Sequence, residues 1–268
     1  MKLISIIIPC YNNADTIDIS LDSLINQTYK NLEIIVVDDN STDDLYSTIK
    51  QYIKKDSRIK YIKNTDIDPY RINRIGTNIN AGYSARNFGI QHATGDIITF
   101  QDADDASLLD RIEVQYNLMK KYNAKHVLVG WQSFKQNLVG TKLDSIPKES
   151  DILSGRELEN FLQENPPVPR FLRDPNSKRL VNSIPFVQLV KRLARKLFFH
   201  EIKSLPGCNG IPMITRAVIE KIQFRPLWER THPSRRGRGA DTDFNYQVLE
   251  IFRSTVVVNL PLYLWKHD

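Results

Sequence analysis

The chain has 268 residues, 41% of them apolar and 25% charged, enough to bury a full core in one large domain or one plus a subdomain; this composition argues against a disordered chain. A net charge of +6 with a pI near 9.2 favours anionic partners such as nucleotides, phosphorylated lipids, acidic membrane surfaces or nucleic acid. Cys10 and Cys208 stand far apart without metal-ligand spacing, which indicates neither a disulfide framework nor a zinc site and suits a reducing cytoplasm, and no apolar run approaches the roughly 20 residues of a spanning helix.

In chain order, Leu3 to Ile8 reads as a buried strand, and Ile17, Leu21, Leu24 and Ile25 recur at helical spacing. Leu32 to Val37 predicts a second strand, followed by a helix with Leu45, Ile49, Tyr52 and Ile53 on one face and Ser41 as its cap. Ile59 to Ile62 is a weaker third strand. A helix over Ser84 to His92, a strand over Ile97 to Phe100, a helix carrying Leu109, Ile112, Tyr116 and Met119, and a strand over His126 to Trp131 follow. Repeated βαβ units imply an α/β fold, with a mostly parallel sheet covered by helices on both faces.

In such sheets, ligands bind outside the carboxyl ends of the strands. Three polar clusters fall there: Pro9-Cys10-Tyr11-Asn12-Asn13, Asp38-Asp39-Asn40-Ser41, and Asp102-Ala103-Asp104-Asp105. The last is the sharpest signal. Two unit charges about 4 Å apart repel by roughly 4 kcal/mol at an effective dielectric near 20, so the cluster needs water, protons or a cation. Asp105 is expected to start the following helix.

The stretches ISIIIPCYNNADTIDISLDSLINQTYKNLEIIVVDDNSTD and NAGYSARNFGIQHATGDIITFQDADD together resemble the nucleotide-sugar half of family 2 glycosyltransferases with the GT-A fold. The resemblance covers about the first 130 residues, and a connection between Lys63 and Ile79 is longer than the family leads one to expect. It implies a nucleotide-sugar-binding half over 1–135 and an acceptor-binding and catalytic-base half over 136–268. It also implies that Tyr11 stacks on the base, that Asp39 hydrogen-bonds it, and that Pro9 and Asn12 belong to the same loop. Arg86 would lie near the base, with Gly82 admitting close backbone approach. Asp102 would reach the ribose or sugar, and Asp104 would hold Mn²⁺ or Mg²⁺, which suits carboxylate oxygens and a departing diphosphate.

The second half carries fewer signals. A boundary is expected between about 137 and 154, then a short helix near Arg156 to Leu162 and a proline-rich loop over Pro166 to Pro175. Phe186 to Phe199 reads as a basic amphipathic helix, with Leu189, Val190, Leu193 and Leu197 on one face and Lys191, Arg192, Arg195 and Lys196 on the other. It either packs its apolar stripe inward or lies on an anionic membrane. Phe244, Val248 and Ile251 mark a helix whose first turn holds Asp241 and Asp243. The resemblance makes Asp241 the catalytic base, with Ala240 where the family often has Glu, and Asp243 its rival; the arginines from Arg235 to Arg238 could close over diphosphate or form a solvated loop. A helix N-terminus would keep Asp241 ionised. His267 is a further metal-ligand candidate by the same resemblance.

The expectation is therefore a metal-dependent inverting glycosyltransferase, cytoplasmic or peripheral to the membrane. It would take a nucleotide-sugar donor, UDP-linked by preference, and a glycan or lipid-linked acceptor of surface polysaccharide synthesis, without nucleic acid as a partner. The alternatives are a sugar-nucleotide nucleotidyltransferase, a receiver domain and a non-catalytic nucleotide-sugar-binding module. The first lacks a glycine-rich N-terminal phosphate loop here, and the second needs only about half this length.

Overall fold

The computed structural model describes residues 1–66, 68–69, 71–72, 80–143, 148–164, 189–190, 193, 197, 211–231 and 239–266. The first half contains β1 (Ile4–Cys10), α1 (Ile17–Ile25), β2 (Leu32–Asp38), α2 (Leu45–Lys55), β3 (Ile59–Lys63), α3 (Tyr83–His92), β4 (Ile97–Phe100), β5 (Ala106–Ser107), α4 (Arg111–Lys121) and β6 (His126–Ser133). The second contributes β7 (Ile152–Ser154), α5 (Arg156–Glu164), β8 (Met213–Thr215), α6 (Arg216–Ile219), α7 (Ala240–Phe252) and β9 (Thr255–Trp265).

Among the described residues the strands form one sheet in the order β3-β2-β1-β4-β8-β6-β9-β5, with β7 paired to β9. β1 is parallel to β2 and β4, β2 to β3, and β6 to β9, whereas β8 runs antiparallel between β4 and β6. The strands at the centre read as continuous apolar runs because both faces of the sheet are covered. Side-chain alternation divides β1 between them: Ile4, Ile6 and Ile8 pack with Leu21 and Leu24 of α1 and Ile112 of α4. Ile7 faces the other way, into a cluster with Ala85 and Ile90 of α3, Phe100, Phe224, and Phe244 and Val248 of α7.

Two local expectations are corrected. Ser41 does not cap α2: the helix starts at Leu45, and the Ser41 hydroxyl accepts a bond from the Asn12 N–H at 3.1 Å. Asp105 does not start a helix either. It is followed by β5, and its buried carboxylate accepts bonds from the Tyr263 hydroxyl at 2.8 Å and the Lys266 N–H at 2.7 Å. A carboxylate satisfied by β9 has no need of a helix terminus.

Candidate active site

The ends of β1, β2 and β4 and the start of α7 surround one open cavity of about 500 Å³. It is lined by Pro9, Tyr11, Asp39, Arg86, Asp102, Asp104 and Asp241, residues far apart in sequence. Asn12 is absent from that lining. Its backbone sits at φ 56°, and its side-chain oxygen accepts the Thr42 N–H at 2.8 Å, tying the loop after β1 to the loop after β2. Asn13 takes the cavity-facing position. His267, the basic residues of 186–199, the proline-rich loop and the arginines from 235 to 238 lie outside the described residues.

On one side of the cavity, Asp39 is buried and accepts a bond from the Asn64 amide at 2.8 Å. Arg71 reaches in from the long connection after β3: it forms an ion pair with the Asp39 carboxylate and donates to the Asp39 carbonyl at 2.5 Å. Its guanidinium carbon lies 4.7 Å from the centre of the Tyr11 ring. A planar, hydrogen-bond-donating group thus stacks on Tyr11 and pairs with Asp39, as a nucleobase edge would.

At the centre, Arg86 donates to Asp102 at 2.6 Å and to the Ala81 carbonyl at 2.6 Å. Gly82, at the N-terminus of α3 with φ 67°, permits this: a Cβ there would stand 2.8 Å from an Arg86 nitrogen. The Asp102 N–H donates to the Tyr263 hydroxyl at 3.1 Å, and that hydroxyl donates on to Asp105. Burial, then the Asp102 charge and to a smaller extent Asp104, push the Asp105 carboxyl up to about 8 against the bond from Lys266. Asp105 thus keeps its proton near neutral pH, and the excess negative charge of the segment sits on Asp102 and Asp104 themselves.

That excess fits a cation at the cavity surface. Among the described residues, no three His, Cys, Asp or Glu side chains converge as a ready-made metal cage. Asp104, with Asp102 beside it, instead offers hard oxygen ligands to the open cavity, the pattern in which one or two carboxylates and substrate phosphates share Mg²⁺ or Mn²⁺.

Asp241 stands in the first turn of α7, half-buried, facing the cavity. Burial raises its carboxyl pKa, opposed by Arg86 and by N–H groups of its own helix and reinforced by Asp102. Desolvation outweighs the pull of the helix N-terminus, and the carboxylate is more basic than a free one. Asp243 is fully buried and does not line the cavity. It accepts from Arg225 at 2.8 and 3.0 Å and from the Thr231 N–H at 2.7 Å. It anchors Arg225 and Thr231 to α7.

Three aromatic residues of the lining went unassigned in the sequence: Trp131 on β6, and Tyr263 and Trp265 on β9. The apolar, β-branched run Thr255-Val256-Val257-Val258 was the available signal for β9.

The family 2 glycosyl transferase model matches residues 5–181, and the chain belongs to that family. A β-1,3-glucosyltransferase of Escherichia coli, WfaP, which uses UDP-Glc and α-D-GlcNAc-diphosphoundecaprenol, is 42% identical over 120 residues, 45% of this chain and 42% of that protein. An uncharacterised glycosyltransferase of Rickettsia felis is 34% identical over 61% of this chain and 24% of its own length. The chain thus spans less than half the length of either relative. Among solved structures, S. aureus TarS 1-349 in complex with UDP has a TM-score of 0.59 at 17% identity, over 99% of this chain and 61% of that one. The mannosyltransferase PcManGT from Pyrobaculum calidifontis, in complex with GDP-Man and Mn²⁺, has a TM-score of 0.52 at 15% identity, over 99% and 56%. These likenesses place the fold among GT-A glycosyltransferases.

Proposed function

We propose that this chain transfers a sugar, with inversion, from a UDP-linked donor to a hydroxyl of a lipid-linked glycan. The observation that carries the reading is the single cavity joining Tyr11 and Asp39, the Asp102-Asp104 pair and Asp241. Residues 1–135 serve chiefly the donor and 136–268 chiefly the acceptor and the base. Tyr11 stacks on the base and Asp39 accepts its N–H. Arg86 holds Asp102 toward the ribose or sugar, and Asp104 is the principal ligand for Mn²⁺ or Mg²⁺. Held there, such a cation would supply positive charge to offset the charge on the departing diphosphate.

The Asp241 carboxylate takes the acceptor hydroxyl proton as that oxygen bonds to the anomeric carbon. The bond from that carbon to the diphosphate oxygen breaks on the opposite face, and UDP leaves with the electron pair. Its raised pKa suits a group that must accept a proton late in the displacement. A lipid-linked acceptor agrees with the WfaP relative. It also agrees with the apolar residues Leu189, Val190, Leu193 and Leu197, which are helical and exposed. No helix among the described residues is long and apolar enough to cross a membrane, and the membrane contact proposed here is a peripheral one.

The test is UDP release from a panel of UDP-sugars with and without Mn²⁺. Metal-dependent release is expected, and Asp241→Asn should lower transfer by a factor on the order of 10² while UDP still binds. Full transfer by that variant would remove Asp241 from the base role. A panel that the wild-type chain binds but never turns over would mark a non-catalytic donor-binding module.

A further inference from the structure

β6 and β9 run side by side in parallel, with Trp131 opposite Tyr263 and Ser133 opposite Trp265. Residues two apart on a strand share a face, so Trp131, Tyr263 and Trp265 come to the same side of the sheet, and all three line the cavity. The Trp131 and Trp265 rings meet edge to face, with centroids 4.8 Å apart and planes at 89°, and so form a right-angled corner. Both remain exposed, at 37% and 41%, although each is a large apolar ring.

The backbone is shaped to aim this corner. The β6–β9 register shifts on both sides of Gly130, immediately before Trp131, where Gly130 faces Pro261. A Cβ at Gly130 would stand 2.9 Å from the Leu260 carbonyl oxygen. A bulge within a ladder redirects the side chain that follows it, and only glycine lets the two strands approach this closely. Sheet order places the corner across the acidic segment from Tyr11 and Asp39: β1 and β2 lie on one side of β4, β6 and β9 on the other. The nucleobase side and the aromatic corner are therefore at opposite ends of one cavity, with Asp104 and Asp241 in its lining as well.

Resting on the glycosyltransferase reading, we infer that Trp131 and Trp265 form the acceptor subsite, a stacking platform for the pyranose ring whose hydroxyl is presented to Asp241. A pyranose carries polarised C–H bonds on a ring face, and an indole offers them an electron-rich surface. The perpendicular rings grip both a face and an edge, which favours a sugar with an unbroken apolar face and disfavours one with an axial hydroxyl on that face.

The chain contains three tryptophans, and the third, Trp228, is buried in the 3₁₀ turn Leu227–Glu229, so emission changes on sugar binding report chiefly on the platform. The experiment loads the full chain with UDP and Mg²⁺ and titrates the methyl β-glycosides of glucose, galactose, N-acetylglucosamine and N-acetylgalactosamine. It follows tryptophan emission and saturation transfer to the sugar C–H protons. At least one glycoside should bind saturably, with transfer strongest to the protons of one ring face. Trp131→Ala and Trp265→Ala should each weaken it by about tenfold or more, Trp131→Phe by less, and all three should bind UDP within about twofold of wild type. Equal glycoside binding by the alanine variants overturns the platform, as does wild-type protein that binds UDP and none of the four sugars. Failure of wild type to bind UDP would instead overturn the donor reading on which the platform rests.

Discussion

Arg71 occupies the place that the proposed function gives to the nucleobase, and removing it has a calculable effect. Its guanidinium lies over Tyr11 at 4.7 Å, and it pairs with a buried Asp39 while itself only 12% exposed. A charge-assisted hydrogen bond contributes about 1.5–3 kcal/mol and a cation–π contact at such a site about 0.5–1 kcal/mol. Displacing Arg71 therefore costs UDP roughly 2–4 kcal/mol, of which about half returns if the freed guanidinium meets the diphosphate. Arg71→Ala should accordingly tighten UDP by about tenfold, equivalent to about 1.4 kcal/mol. Asp39 keeps its bond from Asn64 and gains water, so the fold should be retained. Isothermal titration with UDP, and with inorganic pyrophosphate as a ligand without a base, is the assay. Tightening should appear for UDP and not for pyrophosphate. Weaker UDP binding by Arg71→Ala would refute the reasoning and make Arg71 a wall of the base pocket instead of a plug in it.

Asp104→Ala should abolish the Mg²⁺- or Mn²⁺-dependent tightening of UDP and leave Tm almost unchanged, since a cavity-facing carboxylate contributes little to the fold; calorimetry with and without metal reads both. Asp243→Asn should act on stability, because it weakens a buried pair with Arg225 and the Thr231 contact; a loss of about 3 kcal/mol or more is expected in urea unfolding, and an unchanged midpoint would contradict the anchoring role. His126 is buried, and desolvation lowers its pKa to about 3, against a bond to Asn245. The unfolded chain binds a proton near pH 6.5 that the folded chain refuses, so this contribution is complete above that pH and is lost as pH falls toward 3. His126→Gln should flatten stability against pH over that window, and an unaltered slope in chemical denaturation would remove His126 as its source.

How much of this was legible in sequence depended on distance along the chain. β1, β2 and β4 announce themselves as short apolar runs, and the polar residues after them are local, so Tyr11, Asp39, Asp102 and Asp104 could be placed on one rim. β8 has three residues and no pattern of its own; β4 and β6 supply its register. β9 contains Pro261, which demotes a strand in sequence reading and is accommodated here at a bulge. The roles of Asp105 and Tyr263 rest on a bond that spans the sheet, and turn chemistry gave a helix start in its place. Arg71 lies in the connection after β3, where no periodicity fixes a side chain's direction. The Trp131–Trp265 corner needs the pairing of β6 with β9, which no local pattern supplies.

The central claim is a single displacement at the anomeric carbon, driven from this cavity, and the anomeric configuration of the first product tests it most directly. The 268-residue chain with Mg²⁺ and UDP-glucose, or whichever α-linked UDP-sugar of the panel is turned over, is followed by proton NMR from the first turnovers, before the free sugar mutarotates. The account predicts release of UDP together with a β-configured sugar or glycoside, at a rate that falls by a factor on the order of 10² in Asp241→Asn. An α-configured first product, or a β-product formed equally fast by Asp241→Asn, would contradict it.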